Sequence, residues 1–331
     1  MSLVDVGMPA HGEPRFLEDA VRSVLAQSHR DLRLFIFDDS GDSRIEQVLQ
    51  PLLEDGRVDY RKVEPISAPG VMTALIQAGT APFFAFLHDD DRWEADFLRR
   101  RIDFLEAHPD CGLVISGHAD IDERGVETAR FPAPFKEGMV PPDWIVPEMQ
   151  RRPVVDVMHC ALLRRTALEA AGPWLDEDFP RVFDWELWLR VVLNTGVGCI
   201  DAEDAQYRAH DLQMSFRPGR ARDFRRMLEH ADELVSSLAP DLRLSEEERR
   251  ARLARIELSE SLDRAQEGDA KAARQALRRA MHNDLSVIVR DRRFMPAALV
   301  GFGGPPMRKA VAKLRTARWR RLQARRSGSR A

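Results

Sequence analysis

The chain contains 331 residues, of which 44% are hydrophobic and 31% are charged. This composition is typical of a globular protein and excludes a largely disordered or collagen-like chain. Because no run of about 18 uncharged apolar residues occurs, and no basic leader with a cleavage site opens the chain, we expect neither a membrane span nor export. The cysteines Cys111, Cys160 and Cys199 are too sparse for a disulfide framework, so we expect buried free thiols in a cytoplasmic protein.

Two apolar strands enclose a helix at the start of the chain. Residues 3–8 and 32–37 form short apolar runs, whereas residues 15–27 carry apolar side chains at helical spacing. The order strand, helix, strand predicts a βαβ unit. Helices and strands then continue in turn, at 44–53, 58–63, 70–78 and 83–87. This alternation predicts an α/β fold with a mostly parallel central sheet flanked by helices, whose ligands bind at the carboxyl ends of the strands.

Acidic residues stand at two of these strand ends. Asp38 and Asp39 end the second strand, and His88 and the acidic residues 89–91 follow the strand at 83–87. Clustered carboxylates raise one another's pKa unless a cation neutralises them, so this row predicts a site for a divalent metal such as Mg²⁺ or Mn²⁺. The alternative is an exposed acidic turn that binds only water.

The middle of the chain continues the same alternation. Helical patterns occur at 96–107, 166–171 and 184–193, and a strand pattern occurs at 113–116. The proline-rich segment 131–153 has neither pattern. Since regular patterns resume after it, this segment predicts an irregular binding loop rather than a linker between domains.

The last third of the chain differs in kind. Ser245 and Glu248 are spaced as a capping box, which predicts a helix from 245 to about 266. An alanine-rich helix is predicted at 270–281, so the two would form a helical hairpin. We therefore expect a main domain at 1–238, a hairpin appendage at 239–300, and a Gly/Pro hinge with a basic tail at 301–331.

Four segments, in this order, resemble the family 2 glycosyltransferases, the inverting, nucleotide-sugar-dependent enzymes of GT-A fold. They are VGMPAHGEPRFLEDAVRSVLAQSHRDLRLFIFDDSGDS, FFAFLHDDDRWEADFL, LLRRTALEAAGPWLDE followed by FDWELWLR, and YRAHDLQMS. They are similar to the family's first βαβ unit, its metal-binding strand end, the segment that leads to the catalytic base, and the closing histidine motif. The resemblance covers residues 3–220 and implies a Rossmann-like GT-A catalytic domain at 1–238.

The resemblance also implies a role for each matching position. The positions that would bind the nucleotide and its diphosphate are Pro9, Ala10, Glu13, Asp39, Asp89 and Asp90, with Asp38 in support. The positions that would hold the metal are Asp90, Asp91 and His210, with Arg208 and Ser215 nearby. Asp184 matches the general base.

The sequence departs from the family pattern at a few positions. His88 stands where many members have the first aspartate, so the ligand set would rely on Asp90, Asp91 and His210. Phe183 replaces the acid that often precedes the base. Met72 and Thr73 stand where an Arg-Asn pair is common, which bears on the choice of donor.

The function implied is inverting transfer of a sugar from a nucleotide-diphosphate sugar to the hydroxyl of a glycan or lipid-linked acceptor. A divalent metal on Asp90 and Asp91 would neutralise the leaving diphosphate, and Asp184 would take the proton from the acceptor hydroxyl. Two alternatives stay open. One is a sugar nucleotidyltransferase, although its usual Gly-rich, basic first loop is not evident, and the other is a catalytically silent GT-A-like scaffold or binding protein.

Individual residues also have structural alternatives. Asp184 could cap a helix, and His210 could serve only the fold. Trp93 could stack on a sugar or lie buried beneath the acidic loop, whereas Trp185 and Trp188 are expected in the core.

Charge is concentrated at the end of the chain. The formal net charge is −4, yet residues 308–331 carry ten Lys or Arg and no acid. Residues 307–326 can form a basic helix that contacts anionic lipid head groups at the inner face of the membrane, and a solvated, disordered tail is the alternative. Since only Trp319 adds an aromatic ring and the rest of the chain is acidic, we expect no specific nucleic-acid partner.

Overall fold

The structure of the chain is a computed structural model, which describes residues 2–155, 158–172, 178–179, 182–210 and 220–302. The chain divides into two compact units, Met1–His210 and Asp211–Ala331. This division falls before the boundary predicted at 238, because the helix that ends there packs on the helix that follows it.

Short strands make up most of the first unit. In chain order they are β1 (Val4–Ala10), β2 (Leu32–Asp38), β3 (Val58–Lys62), β4 (Phe83–Phe86), β5 (Arg92–Trp93), β6 (Cys111–Ile115), β7 (His118–Ile121), β8 (Glu127–Phe131), β9 (Gly138–Val140), β10 (Leu162–Arg164), β11 (Gly196–Cys199) and β12 (Ala205–Arg208).

The central sheet has eight strands in the order β3-β2-β1-β4-β10-β6-β11-β9. Strands β3, β2, β1 and β4 are parallel, as the alternation of helices and strands predicts. Strand β10 then runs antiparallel to both β4 and β6, and β9 runs antiparallel to β11 at the edge. The α/β fold is therefore confirmed, with a parallel half and a mixed half.

A second, four-stranded sheet has the order β5-β12-β7-β8. This sheet was not predicted from the sequence, because its strands have two to five residues and no continuous apolar run. Strand β5 directly follows the acidic residues 89–91, and β12 pairs with it so that Ala205 lies opposite Trp93. This pairing brings the end of the first unit beside the acidic loop.

Helices flank the central sheet and form the described part of the second unit. They are α1 (Leu17–Leu25), α2 (Arg44–Leu49), α3 (Ala68–Ala78), α4 (Phe97–Ala107), α5 (Pro142–Arg151), α6 (Arg165–Ala171), α7 (Phe183–Asn194), α8 (Arg220–Leu238), α9 (Glu246–Gln266), α10 (Ala270–Arg290) and α11 (Phe294–Phe302). Helix α1 buries Leu17, Ala20, Val21 and Val24 in the main core, as its spacing predicts. The three cysteines are buried and free, as expected.

The prediction of an irregular loop at 131–153 was wrong. This segment contains strand β9 and helix α5, whose Ile145, Val146 and Met149 are buried. In the sequence, the prolines of this segment argue against a helix. Pro142, however, occupies the first turn of α5, where the backbone N–H makes no hydrogen bond within the helix.

The second unit contains the predicted hairpin, now α9 and α10. Ser245 Oγ accepts a hydrogen bond from the Glu248 backbone N–H, and Ser245 N–H donates to Glu248 Oε2, so the capping box is confirmed. Helix α10 extends beyond the predicted end at 281 and bends at Asp284, whose Oδ1 accepts a hydrogen bond from Val287 N–H at 3.0 Å. None of the described helices is both long enough and apolar enough to cross a bilayer.

Candidate functional site

The residues predicted to bind the nucleotide and the metal lie at one edge of the parallel half-sheet. Strands β1 and β2 end side by side, with Ala10 opposite Asp38, and β4 lies on the other side of β1 with Phe86 opposite Gly7. The loops that follow the three strands therefore lie together. Pro9 and Ala10 are the last residues of β1 and Asp38 is the last residue of β2, whereas Glu13, Asp39 and the acidic residues 89–91 lie on the loops.

The loop after β1 contacts both acidic strand ends. Nδ1 of His11 lies 2.8 Å from Oδ1 of Asp39, and the His11 backbone N–H donates to Oδ2 of Asp89 at 3.2 Å. Gly12 follows with φ of +77°, a conformation that favours glycine, and Glu13 is exposed. His11 was missed by the sequence analysis, although it lies between residues that were singled out, and its imidazole is 75% exposed.

Asp38 is fully buried and satisfied by protein groups. Its Oδ1 accepts hydrogen bonds from Ser40 N–H at 2.9 Å and Ser40 Oγ at 2.6 Å, and its Oδ2 accepts one from the Tyr60 hydroxyl at 2.7 Å. Burial and the adjacent Asp38 carboxylate both raise the pKa of Tyr60, so Tyr60 stays a donor. Asp38 is thus held by groups of the protein, whereas the adjacent Asp39 contacts the exposed imidazole of His11.

Asp90 and His210 form a close pair. Nε2 of His210 lies 2.9 Å from Oδ2 of Asp90, and the ring of Phe16 lies 5.3 Å from the imidazole. His210 is buried, whereas the Asp90 side chain is 27% exposed, so solvent reaches the pair through Asp90. The pairing of β12 with β5 explains how residues so distant in sequence meet.

Asp91 is turned into the protein. Its Oδ1 accepts a hydrogen bond from Arg208 N–H at 2.8 Å, and its Oδ2 lies 3.1 Å from Nδ1 of His159 and 3.7 Å from Nδ1 of His88. Asp91 is 1% exposed. The structure thus brings Asp90 and His210 together but places both oxygens of Asp91 against other groups.

The charges of the acidic row are balanced by imidazoles. Burial and the charge of Asp90 together raise the pKa of Asp89 to about 7. Burial would also raise the pKa of Asp91, but the neighbouring His159 and His88 hold it below its ordinary value. Burial disfavours the charged form of His88, yet contact with Asp91 and the charges of Asp90 and Asp89 raise its pKa to about 9.

Arg208 fixes the backbone of the acidic loop. Its guanidinium donates to the backbone oxygen of Asp90 at 2.8 Å and to that of Asp122 at 3.3 Å, and it pairs with Asp19. The residue is 1% exposed. Arg208 therefore acts on the site by holding Asp90 and Asp91 in place.

Trp93 is buried beneath the acidic loop. Its ring stacks on Phe97 with the centroids 4.2 Å apart, and its Nε1 donates to the backbone oxygen of His159 at 2.8 Å. Only 3% of the residue is exposed, which resolves the two interpretations of Trp93 in favour of packing.

Asp184 lies at the second position of α7 and is half-buried. The N-cap of α7 is Val182, so the alternative interpretation of Asp184 as the helix cap was wrong. Its Oδ1 accepts a hydrogen bond from Trp185 N–H at 2.8 Å. Trp185 and Trp188 are buried as predicted, and Nε1 of Trp185 donates to the Met149 backbone oxygen at 2.7 Å, which joins α7 to α5.

Parts of the predicted site lie outside the described residues. These are the closing motif beyond His210, including Ser215, and the basic segment 307–326.

Residues 5–172, just over half of the 331 residues, match the sequence profile of the family described as Glycosyl transferase family 2. The chain belongs to this family. The family resemblance is thereby confirmed, and the profile match includes the first βαβ unit, the acidic loop and His159, whereas the segment with Asp184 and the closing histidine motif lie beyond it.

Curated relatives of this family 2 chain include two named glycosyltransferases. TuaG of Bacillus subtilis (strain 168), named for teichuronic acid biosynthesis, is 28% identical over 131 residues, which cover 39% of this chain and 52% of TuaG. WfaP of Escherichia coli, a UDP-Glc:alpha-D-GlcNAc-diphosphoundecaprenol beta-1,3-glucosyltransferase, is 21% identical over 245 residues, which cover 71% of this chain and 87% of WfaP. This chain spans about half or less of the length of the first curated relatives that it matches.

The fold matches solved structures of S. aureus TarS. S. aureus TarS 1–349, solved in complex with UDP-GlcNAc, superposes with a TM-score of 0.64 at 14% identity, and the match covers 95% of this chain and 92% of the TarS chain. The family 2 chain thus has the GT-A fold.

Proposed function

We propose that this chain is an inverting glycosyltransferase that moves a sugar from a nucleotide-diphosphate sugar to an acceptor hydroxyl. The observation that supports this most directly is the close pairing of Asp90 with His210 at the same sheet edge as Asp39. In a nucleotide sugar, the diphosphate joins the nucleoside, which carries the base, to the anomeric carbon of the sugar. The loops after β1, β2 and β4 offer groups suited to the nucleoside and the diphosphate.

The nucleotide end of the donor would lie against the loop after β1. Pro9 and Ala10 end β1 and Glu13 lies on this loop, and the Asp39 carboxylate can accept hydrogen bonds from a base or ribose. Asp89 and Asp90 would face the diphosphate. Since TarS is named in complex with UDP and UDP-GlcNAc, we propose a uridine donor.

A divalent metal fits the Asp90–His210 pair. A carboxylate oxygen and an imidazole nitrogen 2.9 Å apart form a donor set that suits Mn²⁺, and Asp90 is open to solvent. When bound there, the ion would neutralise charge on the leaving diphosphate. Asp91, the third ligand predicted from the sequence, directs its Oδ2 toward His159 and His88 instead of this pair, so we place it outside this set.

Asp184 would act as the general base. Inversion requires that the acceptor hydroxyl attack the anomeric carbon from the face opposite the diphosphate, while a carboxylate takes its proton. Asp184 is half-buried at the start of α7, where the helix dipole favours the ionised form that a base needs.

The acceptor would be a glycan or a lipid-linked sugar. WfaP is named for a diphosphoundecaprenol-linked acceptor and TuaG for teichuronic acid, which supports an acceptor of this chemistry. A lipid-linked acceptor would place the chain at the inner face of the membrane, where the basic residues 308–331 can contact anionic lipid.

Calorimetric titration with UDP-, GDP- and dTDP-sugars, with and without Mn²⁺, tests the donor site. We expect binding of the uridine class, strengthened by Mn²⁺, and loss of the Mn²⁺ effect in Asp90→Asn. The matched control is Asp103→Asn, an exposed aspartate on α4. A folded chain that binds no nucleotide sugar would instead favour a catalytically silent GT-A-like scaffold.

A further inference from the structure

We propose that His88, Asp91 and His159 form a second metal site, separate from the Asp90–His210 pair, which binds Zn²⁺. Each residue offers one ligand atom, and these atoms all lie within 4.8 Å of one another. His88 and Asp91 come from the acidic loop, whereas His159 comes from the segment before β10. This proposal does not depend on the glycosyl transfer proposed above.

His159 provides the observation that points to a ligand. The residue is completely buried, and within the described part of the chain neither ring nitrogen has a hydrogen-bond partner. Buried imidazoles normally form hydrogen bonds, because a buried polar atom without a partner loses its hydrogen bonds to water and forms none in their place. Nδ1 of His159 nevertheless lies 3.1 Å from Oδ2 of Asp91. A shared cation explains why these atoms are close without the geometry of a hydrogen bond.

The spacing of the three ligand atoms suits tetrahedral zinc. Ligands at 2.0–2.2 Å from Zn²⁺ stand about 3.3 to 3.6 Å apart along the edges of a tetrahedron. The distances from Oδ2 of Asp91 are 3.1 Å to His159 and 3.7 Å to His88, on either side of that range. The longer distance exceeds that of a hydrogen bond, so direct hydrogen bonding does not account for it.

Neighbouring groups hold two of the ligands in place. The second oxygen of Asp91 accepts a hydrogen bond from Arg208 N–H, and the backbone oxygen of His159 accepts one from Trp93 Nε1. The Tyr207 ring lies parallel to the imidazole of His159, with the centroids 6.3 Å apart. Such outer contacts orient metal ligands in known sites.

The ligand types select the ion. Two imidazoles and one carboxylate favour Zn²⁺ over Mg²⁺, which prefers oxygen ligands. His88 is 35% exposed, so water can enter and supply the fourth ligand. An ion at this position would join the acidic loop to the segment that carries His159, and so would stabilise the folded chain.

The test measures zinc bound by the full-length chain after chelation, dialysis and titration with ZnCl₂. His88→Asn is the informative variant, since its side chain is partly exposed and its loss spares the core. We expect the variant to lose one equivalent of zinc that wild type retains, or to bind it at least tenfold more weakly. Wild type loaded with Co²⁺ in place of Zn²⁺ should show the intense visible absorption of tetrahedral cobalt.

His210→Asn is the matched control, because it removes an imidazole from the neighbouring pair. It should retain the zinc that His88→Asn loses. Equal zinc content and affinity in wild type and His88→Asn would overturn the proposal. Loss of zinc from His210→Asn alone, or a weak octahedral cobalt spectrum, would overturn it equally, since either would place the ion elsewhere.

Discussion

Adjacent aspartates of the acidic row have different surroundings. Asp90 faces solvent and His210, whereas Asp91 faces the protein interior and accepts a hydrogen bond from Arg208 N–H. The sequence placed both carboxylates in one ligand set because they are neighbours in one motif. Consecutive residues in a loop can point to opposite sides, and no spacing rule reveals which of them does so.

This difference predicts that the same substitution, Asp to Asn, destabilises the protein more at position 91 than at position 90. Asp91→Asn removes a buried charge that faces two imidazoles, and we expect it to lower the free energy of unfolding by about 1–3 kcal/mol. Asp90→Asn should change stability far less, because Asp90 is partly exposed. Urea denaturation of both metal-free variants measures the difference, and equal losses would contradict it.

Asp184 allows a direct test of the base. Asp184→Asn keeps the size of the side chain and removes its basicity, so we expect kcat to fall about 10²- to 10⁴-fold while donor binding is unchanged. Asp143→Asn is the matched control, since Asp143 is also an acid in the first turn of a helix, α5. An unchanged transfer rate in Asp184→Asn would exclude the base role and favour the scaffold.

The motifs singled out Asp39, Asp90, Asp184 and His210, and their roles stay predictions. Of these four residues, the structure brings Asp90 and His210 into contact. His159 was missed because its importance depends on Asp91, far away in sequence, and a lone histidine in an apolar run carries no signal by itself. The burial of Trp93 likewise follows from contacts with Phe97 and His159 that sequence spacing does not reveal.

Among the elements, amphipathic helices and strands with a continuous apolar run were predicted well, and the other strands were not. Helices α1, α3, α4, α7 and α9 begin and end within a few residues of their predicted bounds. Strands β5 and β8 have two and five residues and lack the apolar run that marks β4 and β6. The second sheet, which positions His210, could therefore not be predicted from the sequence.

Helix α5 has an exposed tryptophan that suits an acceptor sugar. Trp144 is 54% exposed, and α5 is joined to the base-bearing helix α7 through Trp185. Because sugar rings stack on exposed aromatic faces, we expect Trp144→Ala to raise the KM for the acceptor about fivefold and leave the KM for the donor unchanged.

Initial-rate kinetics with each substrate varied in turn measure this effect. Leu238→Ala is the matched control, because Leu238 is also 54% exposed but lies on α8 in the second unit. An equal rise in the donor and acceptor KM of Trp144→Ala would contradict the assignment of α5 to the acceptor.

At the scale of the whole molecule, the α/β class and the appended helices were predictable, but the division between the units was not. The main domain predicted from the sequence extends to residue 238 and so includes α8. The structure places α8 in the second unit together with α9 and α10, because α8 packs against α9.

We predict that the basic end of the chain contributes to membrane binding and does not contribute to nucleotide-sugar binding. A chain that ends at residue 302 should bind nucleotide sugar as the full chain does, because every proposed donor residue precedes residue 211. It should lose binding to vesicles that contain anionic lipid, since it lacks ten positive charges. Vesicle co-sedimentation at low and high salt measures this, with neutral vesicles as the control, and retained binding would assign the contact to another surface.

His210 is the last residue of the first unit, and its imidazole contacts Asp90. A fragment cut at the unit boundary would turn this histidine into a carboxy-terminus. The new terminal carboxylate would add negative charge next to an acidic loop, and chain ends fray. The catalytic unit cannot therefore be isolated at its own boundary, and an active fragment has to include residues that follow His210.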